Sequence, residues 1–599
     1  MAELRNPLYL LPTLLFLIPV NIYIIGDWLG TGIQWVLFRY QMTIGGESLI
    51  SFTRDIHFII TGLISGKSGI AGTFWTVSVL LLVGYFIISV WAILTENEVL
   101  LRKNAIILLV CGSLFLISDL VQYGIFLHGS GGLCLPVGIP LFFIMGIWGY
   151  SYRFCLVNPL SLLHKKKTPR NNAGSLSRLL SWFERYPNGE LTSLILISIV
   201  VKTIAFFSGL LANLPLHVIL GATKLYFWYA TSLTWGQIPY SSYYVPYPQF
   251  FFIPLLIALI PALVIQNYTL YLYSFSALMI IFDTATLVLV YSIAGKLWGR
   301  DKAFLCGLLY ATAFSAAFFI PITYDAFPSF LLLLSIWIYL YRSESTGFLL
   351  ATAGALTKWY PGLSLPYFLL HGFKTGKMWG HFRRSIILSG ILVSLTLIPF
   401  ILLNARGFIS TYTSHFDRDA EVNSSIYYLD TICNFFLNLE PFDTLSILLV
   451  IIIELALLYW YYRHLDSTPQ ALLGCIFLSI FIFVIFNKVF STYYLIWFLP
   501  FLSLFLIKSS RHILLFYAVQ AIMYLETPVL FGIVYAPFNA FYPEFDSATN
   551  YSVLTGSLPS LPFIFYTLKF GIFLLVLLVI VRDLNHDHSL SGPRAHLTT

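Results

Sequence analysis

Positive charge in this chain alternates with long apolar runs, and most of it falls on one side of them. Of the 33 lysines and arginines, 23 lie in short segments that share a side with the basic stretch around residues 164–185. Loops rich in Lys and Arg stay cytoplasmic, so the asymmetry fixes a topology. Hydrophobic residues make up 58% of the 599 positions and charged residues only 10%, too little polar surface for a soluble chain of this length. The sequence therefore predicts an all-α, polytopic transmembrane protein of about 14–16 helices, at about 20 residues per span. The net charge of +7 then reports topology and gives no reason to expect nucleic-acid binding. Cys111, Cys134, Cys155, Cys306, Cys433 and Cys475 form no CxxC and no ligand spacing with His, so no metal site is expected from them.

Apolar runs at 7–25, 71–94, 104–122 and 135–153 define an N-terminal four-span region, residues 1–155. The first run lacks a small-residue cleavage site and reads as a retained helix, not a signal peptide. A basic cytoplasmic linker follows at 156–189, with Lys165, Lys166, Lys167, Arg170, Arg178 and Arg185. A second membrane module covers 190–582, and residues 583–599 form a cytoplasmic tail. Basic turns at 296–302, 342, 374–384, 463, 508–511 and 582 place segments 210–265, 321–325, 358–361, 405–440, 487–492 and 526–562 on the outer side. The alternation closes if Phe250–Ile265, interrupted by Pro254 and Pro261, stays in the outer interface or re-enters. The sequons at Asn267, Asn423 and Asn550 all fall outside on this reading. Runs 346–357 and 361–371 are too short to span alone, and broken helices are tolerated only where they are buried or line a cavity. They point to an outward cleft near Lys358.

The ten remaining cations lie mostly on the outer side, and three head or end helices there: Lys358, Arg418 and Lys488. A cation in apolar surroundings needs a partner or a purpose. These three suit an anionic phosphate, Lys as a point charge and Arg as a fork, or they pair with Asp325 or Glu421. Residues 216–234 predict an interfacial amphipathic helix that carries Lys224, Tyr226 and Trp228, followed by Tyr240 and Tyr247-Pro248. Asp119, Lys202, Asp283, Glu454 and Lys569 fall within apolar runs, too widely spaced to argue a proton relay.

The order of these motifs resembles the polyprenol-phosphate-sugar-dependent glycosyltransferases of the C-type fold, in particular bacterial and archaeal mannosyltransferases that assemble glycolipids. The resemblance rests on Gly236-Gln-Ile-Pro239-Tyr240 with Tyr247-Pro248, Asp283-Thr284, Tyr324-Asp325-Ala-Phe-Pro328, Thr357-Lys358-Trp359-Tyr360-Pro361, Arg418-Asp-Ala-Glu421-Val-Asn-Ser424 and Asn487-Lys488 through Trp497. It runs over residues 190–525. It implies transfer of a hexosyl unit, mannosyl first, from a polyprenyl- or dolichyl-phosphate donor to a lipid-linked or glycan acceptor, at the outer face of the cell membrane. Lys358, Arg418 and Lys488 would hold the donor phosphate, and Lys224, Tyr226, Trp228, Tyr240, Tyr360, Ser491 and Tyr494 would contact substrate or lipid. No cofactor is required by this chemistry, although a divalent cation on the phosphate is left open. The chain departs from the family in its first outer loop, since residues 210–248 contain no Asp or Glu where the family places its base. Asp325, Glu421 or Asp27 would then take that role. The alternatives are a relative that binds lipid-linked glycans without catalysis, and a transporter or flippase.

Overall fold

The computed structural model describes residues 7–26, 29–43, 46–95, 97–124, 127–129, 131–151, 189–211, 217–263, 267–376, 380–415, 418, 420–421, 423–429, 443–530 and 561–590. Among these, nine helices are long and apolar enough to cross a membrane: Gly66–Leu94, Val99–Tyr123, Gly189–Phe207, Tyr268–Trp298, Arg383–Thr413, Ser446–His464, Pro469–Phe486, Ser510–Val529 and Ile564–His586. Shorter apolar helices at Ile139–Tyr150, Gln249–Ala262, Ala326–Tyr341 and Thr492–Phe505 pack among them. Helices satisfy every backbone group within one segment, which hydrocarbon demands. The chain is a mostly helical, multi-pass membrane protein.

The N-terminal region differs from the all-α expectation. Residues 7–25 do not form one span. Pro12 lies inside a 3-10 helix, Pro7–Phe16, and the chain then enters strand β1, Asn21–Ile25. Proline removes a backbone donor and clashes with the preceding turn, so an α-helix cannot run through this segment undisturbed. Strands β2 (Gly30–Gln34), β3 (Phe38–Thr43), β4 (Gly46–Ser51), β5 (His128–Gly129) and β6 (Gly132–Leu135) complete an antiparallel sheet in the order β4-β3-β2-β1-β6-β5. The turn into β6 needs glycine, because Gly132 has φ +114° and a Cβ there would meet Ile24 O at 1.8 Å. Arg39 on β3 pairs with Asp55 at 2.7 Å, tying the sheet to helix Phe52–Ile60. Asp119 sits where its helix meets the sheet and accepts from Asn21 Nδ2 at 2.8 Å.

This sheet rests on the second module at its outer end. Trp35 stacks on Phe38, and both Phe38 and Phe16 approach the ring of Tyr524, whose hydroxyl donates to Phe16 O at 2.6 Å. Tyr524 ends the helix Ser510–Tyr524, at the end opposite the basic turn that holds Arg511.

In residues 189–590 helices of spanning length alternate with short broken ones. Helix His217–Thr234 stands where an interfacial helix was expected. The proline-broken segment 249–262 lies against it, and Phe250 N donates to Leu356 O at 2.8 Å. Helices Glu344–Ala355 and Ser364–Lys374 are the broken pair, with a 3-10 turn, Tyr360–Leu363, after Lys358. The long helix Gly380–Thr413 breaks at Asn404 (φ −157°, ψ 84°), and its last turns hold the first outer loop. Thr411 Oγ1 donates to Val245 O at 2.8 Å, His415 Nε2 to Pro246 O at 3.1 Å, and Tyr244 OH meets Ser414 Oγ at 2.6 Å. Tyr240 sits in this clamp at φ +64°, its carbonyl so close to Gly407 that a Cβ there would stand 2.1 Å away.

Two of the three sequons do other work. Asn267 caps a helix by accepting from Leu270 N at 3.0 Å, and Asn423 is buried, so it offers no access to a glycosylating enzyme. Asn550 lies outside the described residues.

The in-span charges are paired or hydrogen-bonded. Lys202 meets Asp283 Oδ2 at 2.7 Å and donates to Ser198 Oγ at 2.5 Å, while Tyr310 OH donates to Asp283 Oδ1 at 2.7 Å. Glu454 accepts from Ser479 Oγ at 2.8 Å. Removing one partner of a buried pair strands the other charge. Lys202→Met is therefore expected to destabilise the detergent-solubilised protein by about 3–5 kcal/mol. The double variant Lys202→Met/Asp283→Leu should recover most of the lost melting temperature. A double variant no more stable than the single one would contradict this account.

Candidate active site on the outer face

Three segments converge. The first is the turn Thr357–Trp359 between the broken helices, the second is Tyr324-Asp325 at the head of helix Ala326–Tyr341, and the third is 487–497. Asp325 occupies an N-cap position, yet its side chain does not cap the helix. Its Oδ1 instead accepts from Lys358 Nζ at 2.5 Å and from Trp497 Nε1 at 2.5 Å. The Lys358 ammonium is enclosed by aromatic faces, with ring centroids of Tyr324, Trp497, Tyr493 and Tyr494 at 4.6, 4.8, 5.3 and 5.6 Å. Such contacts stabilise a desolvated ammonium by roughly 0.5–2 kcal/mol each. Tyr360 stacks on Trp497 at 4.4 Å and Tyr494 stacks on its other side at 3.8 Å, so the indole that orients Asp325 is itself held. Ser329 Oγ bonds Tyr360 OH at 2.7 Å and donates to Ile496 O at 3.0 Å, locking this layer to the helix behind it.

One carboxylate oxygen is left over. Asp325 Oδ2 and the neighbouring Tyr324 hydroxyl are buried, and neither has a hydrogen-bond partner among the described residues. A buried unpaired acceptor costs about 1–3 kcal/mol, so its presence asks for an explanation beyond packing. Tyr226, Tyr247 and Phe251 surround Tyr324, with ring centroids 5.7, 5.2 and 4.8 Å away. The aromatic first outer loop thus forms one wall of the site.

A second group forms the rim. Glu421 docks its loop onto segment 487–490: its backbone N donates to Lys488 O at 2.8 Å, and its Oε2 accepts from Phe490 N at 3.1 Å. Its Oε1 meets Arg418 Nη2 at 2.6 Å. Burial pushes the Glu421 carboxyl above the usual glutamate range, against the pull of Arg418, the Phe490 amide and Lys569. The Arg418 side chain is 51% exposed, whereas Lys488 is buried. Phe490, whose amide Glu421 accepts, sets its ring 6.1 Å from that of Tyr494, which in turn stacks on Trp497, so core and rim adjoin.

Of the residues expected from sequence, Asp325, Lys358, Tyr226, Tyr360 and Tyr494 belong to the buried aromatic core of the candidate site, and Arg418, Glu421, Lys488 and Ser491 to the two irregular segments at its rim. Lys224 and Trp228 are exposed on the interfacial helix, away from Asp325's partners. Tyr240 packs on Phe400 and Phe408 and donates to Tyr247 O at 2.7 Å, so it supports the loop from below. Asp27 lies outside the described residues. Sequence reasoning missed Trp497's bond to Asp325 and the acid Glu526, which sits fully buried at an outer helix end beside Pro528. An acid at the end of an apolar run, opposite the in-span Lys569, was the available signal. Among the described residues no group of three or more His, Cys, Asp and Glu side chains converges as a metal site would require.

Fold and site together describe a multi-pass membrane protein with a cation- and carboxylate-bearing cluster at the ends of its helices. Residues 379–568 match the family model described as Mannosyltransferase (PIG-M). The matched segment contains Arg418, Glu421 and Lys488, and it stops short of the Asp325 and Lys358 motifs upstream. No curated protein matches the chain.

Proposed function

We propose that this protein transfers a mannosyl unit from a dolichyl- or polyprenyl-phosphate donor to a lipid-linked glycan acceptor on the outer face of the membrane. The carrying observation is the unpaired Asp325 Oδ2 beside a cation-rich rim, in a chain whose residues 379–568 are similar to mannosyltransferases. Arg418 and Lys488 bind the donor phosphate at the rim, with Lys358 contributing positive charge from the core. Asp325, oriented through Oδ1 by Lys358 and Trp497, presents Oδ2 as the general base. The acceptor hydroxyl oxygen attacks the anomeric carbon while Asp325 takes its proton. The bond from that carbon to the phosphate oxygen breaks, and the lipid phosphate departs against Arg418 and Lys488. Because Asp325 is enclosed, the aromatic wall from the first outer loop must part to admit the sugar.

A second reading has its own observation. The first outer loop lacks an acidic residue, and Lys358 is neutralised by Asp325, as befits a relative that binds lipid-linked glycans without transfer. Purified full-length protein in lipid nanodiscs, given radiolabelled dolichyl-phosphate mannose and extracted glycolipid acceptors, tests both. Transfer that is abolished in Asp325→Asn supports the enzyme. Saturable donor binding with no transfer by the wild type supports the binding protein.

A further inference from the structure

The last helix, Leu561–Leu590, carries a lysine that the site described above does not use. Lys569 is fully buried and meets Glu526 at 2.9 and 3.0 Å. Its ammonium also donates to the backbone carbonyl of Asn423 at 3.1 Å and lies 3.6 Å from the ring centroid of Phe490. Three separate segments therefore meet on one ammonium: Glu526 just after the helix Ser510–Tyr524, Asn423 at the end of the loop that holds Arg418 and Glu421, and Phe490 in the irregular segment 487–491. Asn423 lies two residues beyond Glu421, and Phe490 supplies the amide that Glu421 accepts. The same helix grips the loop again further along, where Thr567 bonds the Tyr428 hydroxyl and Phe570 packs on the Tyr428 ring at 6.0 Å.

A buried ion pair adds little net stability over a well-packed apolar pair, so stability alone does not account for a lysine here. An apolar side chain of the same length would fill the space and would leave the Asn423 carbonyl without its donor. The lysine's third N–H direction does what methionine cannot: it fixes the backbone of a short loop in an otherwise apolar setting. The charge of Lys569 also acts on Glu421 directly, drawing its carboxyl toward the ionised form.

We propose that Lys569, held by Glu526, is a positioning residue that sets the Arg418–Glu421 loop against Phe490 through the Asn423 carbonyl, and so determines how the donor phosphate is held. The proposal rests on the reading that this loop binds the donor. Lys569 is fully buried and lies one residue beyond the segment that matches the mannosyltransferase family model.

The test uses the full-length protein with dolichyl-phosphate mannose as donor. In Lys569→Met the donor KM should rise about tenfold or more, since one charge-assisted hydrogen bond is at stake, with kcat changed far less. Lys569→Arg, which can still reach both Glu526 and the carbonyl, should restore KM to within about threefold of wild type. A purely structural lysine would lower the amount of folded protein and leave KM untouched. That result, or equal loss of kcat in both variants, overturns the proposal. Hydrogen exchange of the amides from Glu421 to Tyr428 gives a reading that needs no activity. Exchange should accelerate about tenfold or more in Lys569→Met, because the loop loses the bond that closes it. Unchanged exchange overturns the inference even if the wild type transfers mannose. Accelerated exchange in a protein that transfers nothing sustains the inference about the loop while rejecting the enzymatic reading.

Discussion

Asp325→Ala is expected to abolish transfer and to destabilise the protein by about 3–5 kcal/mol, because it leaves the Lys358 ammonium buried without its partner. Those two losses have different causes, and a second variant separates them. In Asp325→Ala/Lys358→Met the uncompensated charge is gone, the aromatic cage of Tyr324, Tyr493, Tyr494 and Trp497 closes on an apolar side chain, and most of the stability should return. Transfer should not return, since the base is still missing. General bases typically contribute about 10²–10⁴ in rate, so the double variant should fall by at least that range. Melting temperature in detergent and mannosyl transfer in nanodiscs read the two effects independently. A stable double variant that still transfers mannose at near wild-type rate would make Asp325 a structural counter-ion and leave the base to be found elsewhere.

The parts of this architecture that were legible in the sequence share a physical signature. Long apolar runs report spans because hydrocarbon demands helices, so the mostly helical, multi-pass character could be read directly. The broken pair around Lys358 was legible because 346–357 and 361–371 are each too short to cross and Pro361 stands between them. The expense of an unpaired cation in hydrocarbon left Lys358 several options, of which pairing with Asp325 was one and is the contact the structure contains. The N-terminal sheet was obscured by the same hydropathy that revealed the spans. Asn21–Ile25 reads as the end of an apolar run, whereas Phe38–Thr43 does alternate, with Phe38 and Tyr40 buried and Arg39 and Gln41 only partly so. A period of two in the segment ahead of the span Gly66–Leu94 was the available signal. The bond from Trp497 to Asp325 joins positions 172 residues apart in the chain, and no periodicity encodes a contact of that kind.

The rim is expected to respond differently from the core. Arg418→Ala removes a half-exposed side chain, so the fold should be unaffected, whereas the donor KM should rise about 10–100-fold if the guanidinium grips the phosphate with charge-assisted bonds. Glu421 has two oxygens with two tasks, since Oε1 orients Arg418 and Oε2 accepts from Phe490 N. Glu421→Gln keeps a carbonyl oxygen for Phe490 and gives up the charge that holds Arg418. It should raise the donor KM while leaving kcat within about tenfold of wild type, well inside the loss that removal of a general base brings. Glu421→Ala gives up both tasks, so the loop detaches from segment 487–490 and KM should rise further than in either Arg418→Ala or Glu421→Gln. Steady-state kinetics on the three variants distinguish the roles. A collapse of kcat in Glu421→Gln by about 10³ or more, with KM unchanged, would move the general base from Asp325 to Glu421, where the raised pKa of a partly buried carboxyl would suit it to accept a proton.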